Sequence, residues 1–166
     1  MKTLRYLFSI ILFVAIYNQG FAQLGEVNYD SRIKTQLDEL GLKYTITDSG
    51  NFKLGFDIEN NRTQTVVIRS KTYTYEGMEI REINATAQVA KDKFEFKITN
   101  LFDLLERNQT YKVGAWQIHG GESPYVLEFA LKISAEAKSD ALDKFVRLAA
   151  KISDAVELEI TGADEY

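Results

Sequence analysis

From residue 125 to residue 133 the chain alternates without a fault. Tyr125, Leu127, Phe129, Leu131 and Ile133 share one parity, and Val126, Glu128, Ala130 and Lys132 share the other. A period of two marks a strand with one face in a core. The same alternation links Tyr44 and Ile46 to Phe52, Leu54, Phe56 and Ile58, with Asp48-Ser49-Gly50-Asn51 as a turn between them, which predicts a hairpin. Glu59-Asn60-Asn61-Arg62 is the next turn, and Thr63–Tyr75 is rich in β-branched and aromatic residues, as strands are. After Glu76-Gly77, the pattern continues through Met78, Ile80, Ile83 and Val89. The step from Ile80 to Ile83 breaks the period of two and predicts a bulge or a strand break there. Lys112–Ile118 reads as one more strand.

Three segments follow a helical period instead. Ile33, Leu37 and Leu40 form one stripe, with Asp30 or Ser31 as N-cap and Gly41 as the stop. Leu142, Phe145, Val146, Ala149, Ile152 and Val156 form a longer stripe that Ser139 or Asp140 can cap. Between them, Phe94, Phe96 and Ile98 alternate like a strand, while Ile98, Leu101, Phe102, Leu104 and Leu105 repeat like a helix. A helix from Thr99 or Asn100 to Arg107 satisfies most of that stretch. Consecutive strands joined by tight turns pair antiparallel, so the predicted class is α+β. The expected sheet is antiparallel, flanked by an N-terminal helix, a short central helix and a long C-terminal helix. No internal repeat or low-complexity linker divides it.

Composition changes the picture mainly at the front. Residues 1–22 open with Lys2 and Arg5, run apolar from Tyr6 to Tyr17, and close on Gly20 and Ala22. This is the layout of a secretory signal, with cleavage expected after Ala22. The apolar run is shorter than the roughly 20 residues a membrane helix needs, so no stable insertion is expected after cleavage. Gln23–Tyr166 is then one domain, expected in the periplasm or secreted. The segment removed holds two cations and no anions, which takes the formal charge from -4 to -6. An acidic chain without a Lys/Arg cluster is a poor nucleic-acid binder. It has no cysteine, which excludes disulfides, thiolate zinc sites and cysteine catalysis.

The chemical candidates dissolve one by one. Trp116–Tyr125, WQIHGGESPY, holds the only histidine beside two glycines and a serine. An esterase-type oxyanion loop would need a G-x-S-x-G elbow and a second histidine, and the chain has neither, so His119 reads as a hairpin residue. Ser31-Arg32-Ile33-Lys34 matches S-x-x-K, but the companion S-D-N and K-T-G signatures are absent. Asp140 with Asp143, and Asp154 with Glu157, stand at i, i+3 and read as a solvated helix face. The closing EITGADEY reads as a frayed, exposed end. Asn61, Asn84 and Asn108 each open an N-x-T sequon, taken as incidental beside a bacterial-style signal. No catalytic, cofactor-binding or metal-binding residue is assigned.

Two segments carry a resemblance. NQTYKVGAWQI followed by YVLEFALKIS, and the closing LAAKISDAVELEITGADEY, resemble the YbjN family of bacterial proteins. The likeness extends loosely from Leu37 to Tyr166, and its motifs are packing and turn residues. It implies a sheet-and-helix module similar in fold to type III secretion chaperones, without established enzyme chemistry, whose relatives bind polypeptides and commonly dimerise. The chain departs from many such relatives in carrying an export signal. The expected function is therefore an exported, non-enzymatic protein-binding module, with another polypeptide or a second copy as partner. The alternative is a small-molecule or lipid-binding envelope protein using Tyr73, Tyr75 and Tyr111. Val67, Tyr73 and Tyr75 share one parity of their strand, opposite Val66 and Ile68, and are the expected partner surface. Trp116, beside Gly114-Ala115, is expected in the core.

On this reading His119→Ala changes folding stability by no more than about 0.5 kcal/mol, measured by denaturant unfolding, and leaves any binding activity intact.

Overall fold

The computed structural model describes residues 28–166. The predicted export signal, its cleavage site and the expected domain start at Gln23 lie outside the described residues. In chain order come α1 (Ser31–Glu39), β1 (Thr45–Ile46), β2 (Phe52–Asp57), β3 (Thr63–Tyr75), β4 (Met78–Ala90), α2 (Ile98–Asn108), β5 (Ala115–His119), β6 (Tyr125–Ser134) and α3 (Ser139–Thr161). The strands form one antiparallel sheet in the order β1-β2-β3-β4-β6-β5. The class is α+β, with the three helices where the periodicity puts them.

One face of the sheet holds the core. Phe52, Leu54 and Phe56 of β2, Val66 and Ile68 of β3, Ile83 and Ala85 of β4, and the β6 row from Leu127 to Ile133 are all buried there. Across them lies α3, contributing Leu142, Val146, Ala149, Ala150 and Val156. Ile33 and Leu37 of α1 complete the layer, with Tyr29 and Tyr44 packing their rings on Phe52 at 5.7 and 5.3 Å between centroids. Burial of these side chains removes apolar surface from water at roughly 25 cal/mol per Å².

The expected break in β4 is not there. β4 pairs with β6 without interruption from Ile80 to Thr86, and the irregularity at that level sits on the neighbouring strand, between Ile68 and Thr72 of β3. Ile80 and Ile83 are out of phase because they point to opposite faces. The inner position between them belongs to Arg81, almost wholly buried. Its guanidinium donates to Asp30 Oδ2 at 2.6 Å and to the Arg69 carbonyl at 3.0 Å. Asp30 caps α1, accepting from the Arg32 N–H at 2.9 Å, and Arg32 bridges on to Glu79. The bulge in β3 brings that carbonyl and the helix start to the same cation.

Two other local expectations need correction. Phe94 and Phe96 are not on a strand: Asp92 starts a 3₁₀ turn over Lys93–Glu95 with a reciprocal capping box, and the turn feeds α2. The capped turn satisfies its own backbone donors, with the Asp92 N–H donating to Glu95 and the Phe94 N–H to Asp92. At the head of α3, Lys138 holds the cap position without a side-chain bond, and the Ser139 hydroxyl donates to Glu39 of α1 at 2.7 Å instead.

Burial opposes ionisation of Asp30, but hydrogen bonds from Arg32 and Arg81 outweigh it and hold its carboxyl well below the usual aspartate range. Stability from this lowered group is complete above an ordinary aspartate pKa of about 3.9 and is lost as the pH falls through the folded value. Asp30→Asn leaves Arg81 buried without its anion and is expected to cost about 3–5 kcal/mol at neutral pH. Unfolding curves of the two chains should converge only under strongly acid conditions.

Candidate functional site

The central helix is amphipathic in an unusual sense. Leu104 is buried and Leu101 half-buried, which is enough to seat α2 against β5. Yet Ile98 is 69%, Phe102 61% and Leu105 61% exposed, and Phe94 just before the helix is 83% exposed. The three helical residues stand at i, i+4 and i+7, so they form one outward stripe. Beside the stripe, Leu101, Leu104 and Leu105 face Trp116, Ile118 and Leu127 across an apolar cleft of about 230 Å³. Trp116 forms the floor: its ring packs on Phe129 at 5.5 Å, and its indole N–H is buried without a hydrogen-bond partner. Gly114 makes this approach possible, since a Cβ there would lie 2.7 Å from the Phe129 ring.

β5 is the last strand of the sheet, and one side chain covers part of its outer rim. Asn108, at the end of α2, accepts the Trp116 N–H on Oδ1 at 2.7 Å and donates from Nδ2 to the Trp116 carbonyl at 3.4 Å. Arg107, one residue earlier, pairs with Glu159 of α3 at 2.7 Å, which fixes α2 between the two. Burial opposes ionisation of Glu159 less than Arg107 favours it, and its carboxyl is held low.

A second cluster sits where α3 ends. Asp154 and Glu157, read from sequence as solvated, are buried. With Asp164 they bring three carboxylate oxygens within 4.8 Å of one another, a spacing that could hold a cation. A cation is already there: Arg62 donates to Asp154 at 2.7 Å and lies 3.6 Å from Glu157. Burial pushes the Glu157 carboxyl up, so its ionised form costs stability at neutral pH and the cost is relieved as the pH falls through the raised value. The closing residues are held in place by this cluster instead of fraying: the backbone N–H groups of Glu165 and Tyr166 both donate to Glu157 Oε1.

The remaining candidates are dispersed. Tyr73 and Tyr75 are exposed, 53% and 67%, at the tip of the β3–β4 hairpin beside Met78, with the Lys71 ammonium 5.2 Å from the Tyr73 ring centre. Val67 is half-buried and lies eight residues back, roughly 26 Å along an extended strand, so it shares no patch with Tyr75. Tyr111 packs on Phe129, two strands away from β3. The three tyrosines therefore enclose no common pocket. His119 ends β5 at the surface and leads into the 120–124 turn, as its neighbours predict. Lys34 pairs with Asp38, one turn on in the same helix, and is not aimed at Ser31. In an open groove between α1 and the head of α3, Gln36 donates to the Ala137 carbonyl and Ser139 to Glu39.

The apolar face of α2 was partly legible. Five large apolar residues between Ile98 and Leu105 are more than one buried face of a three-turn helix requires, and the surplus was the signal.

Taken together, the described residues define a one-sided sheet-and-helix module with an exposed apolar helix beside a small cleft. Among solved structures the chain is similar to that of YbjN from E. coli, a candidate transcription regulator, with a TM-score of 0.48 and 13% identity over 78% of this chain and 88% of that one. The likeness is one of fold. No family model matches the sequence, and no curated protein does.

Trp116→Ala is expected to cost about 3–5 kcal/mol, the usual range for emptying a buried aromatic site. Because Trp116 is the only tryptophan, its emission checks the placement directly: the folded wild type should emit blue-shifted, and a red-shifted spectrum would put the ring in water.

Proposed function

We propose that the protein is a non-enzymatic, polypeptide-binding module that works outside the cytoplasm, with residues 1–22 as its cleavable export signal. The observation that supports binding is the α2 stripe. Exposed single apolar residues are ordinary, but a contiguous helical row of Ile98, Phe102 and Leu105, flanked by Phe94 and by a cleft, is the kind of surface that proteins cover with a partner. The cleft of about 230 Å³ is smaller than the roughly 300–1,000 Å³ of small-molecule sites, and suits one bulky side chain. That favours a polypeptide over the lipid-binding alternative.

Among the described residues no helix is long and apolar enough to cross a membrane. Self-association through Tyr73 and Tyr75 at the hairpin tip is a separate surface within the same proposal.

A photo-crosslinking residue at position 102 or 105, in full chain exported by cells, is expected to trap a polypeptide partner. Phe102→Ser with Leu105→Ser should weaken capture of that partner at least about tenfold, about 1.4 kcal/mol, while stability moves little because both side chains are already exposed. Tyr73→Ser with Tyr75→Ser is the control. Loss of capture there and not at α2 moves the site to the hairpin tip; loss in neither ends the proposal.

A further inference from the structure

The register of β3 and β4 contains a gap. Their ladder stops at Val66 pairing Ala85, although β3 continues back to Thr63 and β4 runs on to Ala90. β4 instead follows β6, with its own bulge between Thr86 and Gln88, and parts from β3. In an antiparallel strand successive N–H groups point to opposite sides, so the N–H groups of Thr63 and Thr65, in phase with Val67, face the side β4 has left. A slot remains between the two strands where their ladder ends, bordered on one side by β3 and on the other by β4.

The chain's own residues 163–166 fill it. Gly162, at φ +68, ends α3 and turns the chain back toward the sheet. The Thr63 N–H then donates to the Asp164 carboxylate at 3.1 Å, and the Thr65 N–H to the Tyr166 carbonyl at 2.9 Å. Across the slot, the Val89 N–H donates to the Tyr166 hydroxyl at 3.0 Å. Arg62 donates to the Ala163 carbonyl at 2.6 Å, and Glu157 accepts from both Glu165 and Tyr166. Gln64 closes the floor, donating from Nε2 to the Thr86 carbonyl and to Glu157. Backbone groups, an acidic side chain and an aromatic hydroxyl are each read by a separate partner. Such one-to-one reading is how proteins recognise an extended peptide.

We infer that this slot is an acceptor site for an extended acidic segment of another polypeptide, of the pattern small–Asp–x–Tyr, and that residues 163–166 are its resident occupant in cis. The segment is short and lies outside any helix or strand. It therefore belongs to the part of a fold that opens locally before the rest. Its departure would uncover the N–H groups of Thr63 and Val89 and the one Arg62 donor that holds the Ala163 carbonyl, while the Thr65 N–H keeps Gln64 Oε1 at 2.7 Å and Arg62 keeps Asp154. An incoming strand of the same pattern would satisfy the groups set free. This surface is distinct from α2, so it stands or falls independently of the proposed docking there.

The test uses the full chain and a fluorescent, C-terminally amidated Gly-Ala-Asp-Glu-Tyr peptide, followed by anisotropy. Asp164→Ala with Tyr166→Ala should bind the peptide saturably, and the wild type at least about tenfold more weakly, because its own segment competes. Replacing Asp by Asn in the peptide should weaken binding to the variant. A variant that melts cooperatively with unchanged Trp116 emission but takes up no peptide overturns the inference, as does equal binding to both chains. Should the double variant fail to fold, Tyr166→Phe, which removes only the Val89 contact, replaces it under the same criteria. Hydrogen exchange on the wild type decides independently. The Thr63 and Val89 amides should exchange together and at least about tenfold faster than Val67; protection equal to Val67 would mean that the segment never leaves.

Discussion

The packing of α3 against β6 and its neighbours sets the dimensions of everything else. The helix has 23 residues, about 34 Å at its usual rise, and β6 has ten, about 33 Å. α3 is long enough to run the length of that strand, sharing the cover of its inner row with α2 at Leu127 and with Tyr111 and Trp116 at Phe129. Because the helix must run the full length of the strand, its last turns extend over the region where β3 and β4 separate. There the stripe that begins with Leu142 keeps Val156 in the core but also carries Ser153, Asp154 and Glu157 inward, with the Ser153 hydroxyl donating to the Ala85 carbonyl. Polar groups enter the interior because the geometry of the cover demands it, and Arg62 is the counter-charge that makes their burial tolerable.

Two arginines, one on the sheet and one just before β3, play matching parts at opposite ends of the described chain. Arg81 on β4 receives the carboxylate that caps α1, and Arg62 receives those near the end of α3. Each ties a helix terminus to the sheet through a charge that cannot be left alone once it is out of water. Removing either partner costs more than the bond itself, since the remaining charge keeps its desolvation penalty. The architecture is thus pinned at both helix ends by ionic contacts and filled between them by apolar packing.

This division explains what could be read from the sequence. Apolar alternation exposed the strands, the face of β6 and the core place of Trp116, because for those residues burial and hydrophobicity agree. It failed wherever a charged side chain takes an inner position. Arg81 made β4 look broken, and Asp154 and Glu157 looked like a wetted helix face, since a charge in the sequence does not announce a counter-ion 51 or 92 residues away. The α2 stripe failed in the opposite sense: Ile98, Phe102 and Leu105 have a core signature and stand in solvent. Val67, Tyr73 and Tyr75 were grouped by parity alone, a relation that holds along a strand but says nothing about how far apart the residues lie.

The amide of Asn108 on the rim of β5 has a consequence for solubility. A sheet edge offers a row of free backbone groups on which further strands can stack, the route by which folded proteins polymerise into fibrils. Asn108 presents to Trp116 the same donor–acceptor pair that a neighbouring strand would, and so occupies the docking register with a side chain that cannot propagate. At the far edge, β1 is only two residues long. Each border of the sheet thus offers a further strand only a shortened run of free backbone groups, which hinders stepwise growth without closing the edge.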